Sequence, residues 1–302
     1  MKKYILLFLG LILALLSPNF VAAQGAIDGF MKGKGNLDLA LSFATESSGK
    51  FFSRVDGRDT TFDFGISANS VSLFAAYGIT DDLDVIASIP FVSRSANTQG
   101  LQDGSVYLKY QSINTALSDL GRLKVITGAG ISFPLSDYEV QNSRAIGQQA
   151  LVVPLRVVAQ VDLNSGLFFN ITGGYNFRLD ENERVLADSF LVLTPNGTVT
   201  QPDDFISLSA KVGYSTGKQY FDLWFDYQHT EGGNSYRDGD PSGFKSLGVS
   251  YSKIGGTYYY AFKPNFGAFL GLSKVFGGRN INDQLTISVG VVYKLNTNKS
   301  TE

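Results

Sequence analysis

The chain has no cysteine, one histidine (His229), one tryptophan (Trp224) and only two methionines among 302 residues. Without cysteine, no disulfide holds the fold and no lipid is attached through an N-terminal thiol. One imidazole and no thiol do not make a zinc site or a cysteine nucleophile. No Lys/Arg-rich run suggests nucleic acid as a partner. No glycine pattern follows a strand and opens a helix, which excludes a phosphate-binding loop. Beyond residue 23 no apolar stretch approaches the roughly 20 residues of a membrane-spanning helix.

What is present begins with an export address. Lys2 and Lys3 precede an apolar run from Tyr4 to Leu16, then Ser17, Pro18 and Asn19, then Val21, Ala22 and Ala23. This is the pattern of a secretory signal peptide over 1–23, cut between Ala23 and Gln24. Of the 25 basic residues, Lys2 and Lys3 leave with it, so 23 face 27 acidic ones and the net charge becomes −4. The 33 Gly, 23 Phe and 15 Tyr suit strands, not helices.

Residues 71–92 show what the strands are. Val71, Leu73, Ala75, Tyr77 and Ile79 share one face of an extended chain; after Thr80, Asp81 and Asp82, the same alternation resumes with Leu83, Val85, Ala87, Ile89 and Phe91. Period two on both sides of a short polar turn is a β-hairpin. Each arm has about ten residues, the length of a tilted transmembrane strand. The unit recurs to the C-terminus, most regularly at Leu151, Val153, Leu155, Val157, Ala159 and Val161.

Twelve strands are predicted, in a single transmembrane antiparallel β-barrel, an all-β fold. Fourteen result if the Asn196-Gly197 hairpin enters the wall. Leu247, Val249 and Tyr251 are read as outward, which requires a bulge at Gly255-Gly256 before Tyr258, Tyr260 and Phe262. Connections alternate between short and long, as periplasmic turns and outer loops do. Residues 112–122 are the exception, a long segment on the short side with room for one helical turn. The organisation expected is signal peptide 1–23, N-terminal linker 24–35, barrel 36–295 and polar tail 296–302.

Three stretches resemble one family: Tyr77 to Leu83 running on through Ile89 to Val92, Gly104 to Tyr110, and Gly128 to Pro134. In their order and spacing they are similar to the porin-like outer-membrane transporters named for the meta-pathway of phenol degradation. The resemblance implies a channel or transporter for passive uptake of small compounds, hydrophobic or aromatic ones among them. It supplies no catalytic or binding residues.

A charge facing lipid at mid-membrane costs about 2–4 kcal/mol, so inward parity selects the residues of any site. That set is Asp38, Lys109, Lys124, Arg156, Gln160, Arg178, Lys211, Asp222, Trp224, Asp226 and Lys294. They line a pore or pair across a filled interior. Phe74, Tyr107, Phe168 and Tyr220 share their parity, as a greasy pathway or as packing. No enzyme and no cofactor is expected. His229 has Asp226 and Ser235 near it in sequence, but spacing alone makes no triad. The alternative to a channel is a structural or adhesive barrel acting through its outer loops. Expected partners are outer-membrane lipid and lipopolysaccharide, a small-molecule solute, and the barrel-assembly machinery during insertion. Pro90 and Pro154 interrupt regular strands and donate nothing to a neighbour; either each lies at a rim, where water or a bulge satisfies the partner carbonyl, or the wall has a weak point there and a sideways exit for a hydrophobic solute.

Overall fold

The computed structural model describes residues 28–55, 58–95, 98–138, 146–147, 149–179, 201–232 and 246–297. The expected signal peptide, Asn196-Gly197 and Ser235 lie outside them. Twelve strands form the wall: β1 Asn36–Val55, β2 Arg58–Gly78, β3 Leu83–Ser95, β4 Asp103–Leu117, β5 Gly121–Pro134, β6 Val152–Leu163, β7 Leu167–Arg178, β8 Phe205–Ser215, β9 Gln219–Thr230, β10 Ser250–Lys263, β11 Phe266–Arg279 and β12 Leu285–Asn296. Each pairs antiparallel with the next, and β12 closes on β1 from Asn36↔Asn296 to Ser47↔Leu285. Closure matters because hydrocarbon offers no partner to an edge strand's N–H and C=O groups.

The alternation sorts side chains as expected. Leu41, Leu73, Leu108, Val157, Ile171, Leu208, Leu223, Leu272 and Val289 are exposed on the outside and form an aliphatic band. Exposed Tyr110, Phe221, Tyr258, Phe262, Phe266 and Tyr293 lie toward the short-turn end, and Phe43, Phe91, Phe177, Phe225 and Phe276 toward the other. Aliphatic band and paired aromatic girdles are the outer surface of a transmembrane barrel. Val157 is 54% exposed and its neighbour Val158 is 0% exposed, so the register of β6 is the predicted one.

Two segments differ from the expectation. Residues 112–122 hold no helical turn: β4 continues to Leu117, and the turn is only 118–120. A bulge hides this in the sequence. Gln111 pairs with Ile126 and Ile113 with Val125, so Ser112 is the extra residue and the outward parity changes from even to odd. With this turn corrected, all the periplasmic connections are short.

The second correction concerns β10. No bulge occurs at Gly255-Gly256, where pairing with β9 is continuous from Gln219↔Tyr260 to Gln228↔Tyr251. Tyr251 therefore faces inward with Lys253, Gly255, Thr257 and Tyr259. Leu247 and Val249 precede the strand; Ser246–Leu247 pairs instead with Gln201–Pro202, outside the wall. Gly255 has a different reason to be glycine. A Cβ there would lie 2.3 Å from the Trp224 ring, which lies against the bare backbone. This hairpin has two irregularities: Phe276 on β11 is the extra residue between Ser252↔Gly277 and Lys253↔Val275, and Phe262 on β10 between Ala261↔Gly267 and Lys263↔Phe266.

Because the closed ladder unfolds only as a unit, the purified protein is expected to resist SDS until boiled and to change mobility on heating. Identical mobility before and after boiling would count against closure. Register predicts a second asymmetry. Leu208, 52% exposed, faces lipid, whereas Ser209 faces the lumen opposite Asp226. Leu208→Arg should lose about 2–4 kcal/mol and assemble poorly, and Ser209→Arg should assemble nearly as the parent does. Folded yield in lipid vesicles measures both.

Candidate functional site: a lumen filled from the periplasmic end

Residues 28–35 precede β1 and do not follow its outward path. Gly33 and Gly35 take positive φ angles, each of 76°, and the chain folds back into the barrel mouth. Gly35 N–H donates to Gly78 O at 2.8 Å, and Lys34 N–H to Asp81 Oδ1 at 3.0 Å, which ties the entrance to the β2–β3 turn. From there Lys32, Met31, Phe30, Gly29 and Asp28 run up the lumen.

The wall receives this segment with groups the alternation had already aimed inward. Lys32 N–H donates to Asp84 Oδ2 at 3.0 Å, and Lys32 Nζ pairs with Asp38 at 2.8 Å. Lys109, 1% exposed, donates to Phe30 O at 2.7 Å and sits 3.2 Å from Asp28 and 3.4 Å from Asp84. Gly29 N–H donates to Gln160 Oε1 at 3.1 Å; the same oxygen accepts from Asn170 Nδ2 at 3.0 Å. Three carboxylates and two ammonium groups share one cluster, in which each opposite charge offsets part of its neighbours' desolvation.

Phe30 supplies the apolar part. Its ring meets Phe168 edge-on at 5.2 Å and Tyr220 at 6.4 Å, while Phe168 and Tyr220 stack at 5.5 Å. Tyr220 is completely buried and donates to Asp222 Oδ2 at 2.6 Å, an oxygen that also pairs with Lys211 at 3.2 Å. Lys124 pairs with Asp162 at 2.6 Å and lies 5.5 Å over the Phe30 ring. Lys294 lies 5.6 Å over Tyr259. Below Phe30 a cavity of about 890 Å³ opens at the periplasmic mouth, lined among others by Lys32, Asp38, Lys124, Asp162 and Lys294.

The predicted lumen residues thus fall into two groups. Asp38, Lys109, Lys124, Gln160, Lys211, Asp222 and Lys294 lie in the periplasmic half, against or just around the inserted segment. Arg156, Arg178, Trp224 and Asp226 lie above it. Arg178 stands at the outer end of β7, its N–H on Asp204 Oδ1 at 2.8 Å and its guanidinium 5.2 Å over Phe205. His229 and Asp226 are on opposite faces of β9. The imidazole is exposed on the outside, with Nδ1 3.2 Å from Ser250 Oγ, so these two residues do not meet. Sequence reasoning missed Asp28, Phe30 and Lys32, because residues before the first strand show no period. It also missed Arg94 and Lys253, which inward parity could have found.

The wall is weakest where one proline lies. Pairing of β5 with β6 runs from Gly121↔Leu163 to Ala129↔Leu155 and resumes only at Ser132↔Val152, across from Pro154. Beside Pro90 the ladder is interrupted as well, between Ser88↔Ser105 and Phe91↔Leu101, but there the proline carbonyl accepts from Gln102 N–H at 2.9 Å.

No family model matches the chain, and no curated protein matches its sequence. Solved structures do. An outer membrane channel from Pseudomonas putida F1 is similar over 91% of this chain and 100% of its own length, with a TM-score of 0.70 at 14% identity. The NanC porin is similar over 85% of this chain and 100% of its own, with a TM-score of 0.53 at 13% identity. At such identities the likeness is one of fold. Together with the apolar belt and the closed wall, it defines this chain as a multi-pass outer-membrane β-barrel.

The inserted segment predicts its own release. A charged hydrogen bond contributes about 1.5–3 kcal/mol, so Asp28→Asn combined with Phe30→Ala should lower its occupancy of the lumen tenfold or more. Single-channel recording should then show larger and longer openings than in the parent. Unchanged conductance in a normally assembled variant would mean that the segment does not limit flow.

Proposed function

We propose that this protein is a channel for passive uptake of small hydrophobic or aromatic compounds, as the resemblance to the phenol meta-pathway transporters implies. The observation that carries the reading is the filled lumen. Packing of Phe30 against Phe168 and Tyr220 narrows the periplasmic half, which disfavours ions and sugars. An aromatic solute, by contrast, meets rings at each level, from Tyr107 and Tyr251 above to Phe168 below. The break in pairing beside Pro154 supports a sideways route from the upper lumen into the membrane, where such a solute is soluble. Nothing in this arrangement calls for catalysis.

Vesicles loaded with the protein test the reading. They should take up naphthalene faster than protein-free vesicles and take up a disaccharide little faster. Replacing Pro154 by Val restores a backbone donor to the wall, and it should slow naphthalene several-fold while leaving the disaccharide unchanged. Uptake of naphthalene no faster than in protein-free vesicles would favour the structural or adhesive alternative. Equal uptake by parent and Pro154→Val would return Pro154 to the role of a rim residue.

A further inference from the structure

The charges of the lumen form two populations. Around the inserted segment four ammonium groups have carboxylates at 2.6 to 3.4 Å: Lys32, Lys109, Lys124 and Lys211. Above it, Arg94 on β3, Arg156 on β6 and Lys253 on β10 face inward, and none makes an ion pair within 4.0 Å among the described residues. Glu46 and Asp226 share this level and act on Arg94 and Lys253 only at longer range. Arg94, Arg156 and Lys253 thus stand with only Glu46 and Asp226 at their level, while Arg178 lies further out beside Asp204, in a chain whose net charge is negative.

Arg156 is held as a presented group. Its Nη1 donates to Leu155 O at 2.9 Å and its Nη2 to Asn176 Oδ1 at 2.7 Å, both neutral acceptors. Asn176 is itself fixed, donating from Nδ2 to Phe205 O at 3.0 Å. Gly174 stands directly opposite on β7, and a Cβ there would come within 2.3 Å of Nη1. The guanidinium therefore lies over bare backbone, braced by two neutral acceptors. Tyr107 on β4 and Tyr251 on β10 face the same lumen, and Lys253 lies 5.7 Å over Trp224.

A neutral hydrophobic solute has no use for a braced, half-buried guanidinium. An anion with an apolar body uses both the charge and the rings, because carboxylate and guanidinium match as a two-bond fork and aromatic faces stack beside it. We propose that the belt of Arg156, Lys253, Arg94, Tyr107, Tyr251 and Trp224 is a binding site for aromatic carboxylates. The carboxylate docks on Arg156 and the ring lies against the tyrosines and Trp224. This inference rests on the channel reading and narrows its solute class.

Trp224, the only tryptophan of the chain, is part of the belt and reports on it directly. The folded full-length protein in detergent is titrated with 4-phenylbutyrate and with 4-phenylbutanol, which share an apolar body and differ in charge. The carboxylate should quench Trp224 and bind about tenfold more tightly than the alcohol, the worth of one charged hydrogen-bonded pair. Arg156→Gln, verified as folded by its heat-dependent mobility, should abolish that preference and leave alcohol binding unchanged. Equal affinity of the two compounds for the parent protein overturns the inference, whatever the variant does. So does a preference that survives in Arg156→Gln. Vesicle uptake separates the two levels: if the alcohol permeates and the carboxylate binds no better, only the carboxylate site falls. If neither compound binds or permeates, the channel reading falls with it.

Discussion

Everything in this molecule follows from the need of backbone amides for partners in a medium that supplies none. The wall must close, so β12 returns to β1 and every strand has two neighbours. Once it closes, period-two alternation has a fixed meaning, with lipid on one side and the lumen on the other. Side chains such as Leu208 and Val157 are thereby committed outward, and each intervening polar residue is delivered to the interior without any further instruction. The polar lumen is thus a consequence of closure. Its contents are where the sequence had freedom.

That logic also explains what could be read in advance. Parity is a local property, so eleven of the strands and the inward direction of Lys109, Arg156, Lys211 and Asp222 were legible from alternation alone. Errors arose where parity is interrupted by one residue, or imitated by chance. Ser112 shifts the face of β4 and made a strand end resemble a loop. Leu247 and Val249 alternate in step with Tyr251 but belong to a connection, and they suggested a bulge that Gly255 does not make. The inserted segment was illegible for a deeper reason. Asp28 and Lys32 are placed by long-range pairing with Lys109, Asp84 and Asp38, and nothing in an aperiodic stretch signals where its partners are.

The choice of ionic and amide contacts to hold that segment has a physical rationale. A wall of twelve strands is near the size that its own side chains can fill, and the eight described residues before β1 complete the filling on the periplasmic side. An apolar filling alone would be held by area and would resist leaving. A buried charge cluster is a different case: its favourable contacts offset a large desolvation cost, and the net stabilisation is small. Asp28, Lys32 and Lys109 can each exchange a partner for water if the segment withdraws into the mouth cavity. The cluster therefore fixes the segment's position through specific partners more than through net stabilisation.

The two halves of the lumen then differ in a way that matters for passage. Below, each ammonium group of the inserted segment's cluster is already matched, so a charged solute gains nothing by stopping there; the rings of Phe30, Phe168 and Tyr220 favour apolar matter only while the segment yields. Above, Arg156 is braced by Asn176 and Gly174 yet offered no carboxylate of its own. Conduction requires binding firm enough to collect a solute and weak enough to release it. A lone fork with neighbouring cations tempered by Glu46 and Asp226 meets both demands. Were the upper cations paired as tightly as Lys124 is with Asp162, the barrel would have no means of preferring one amphiphile over another before the narrow region decides its fate.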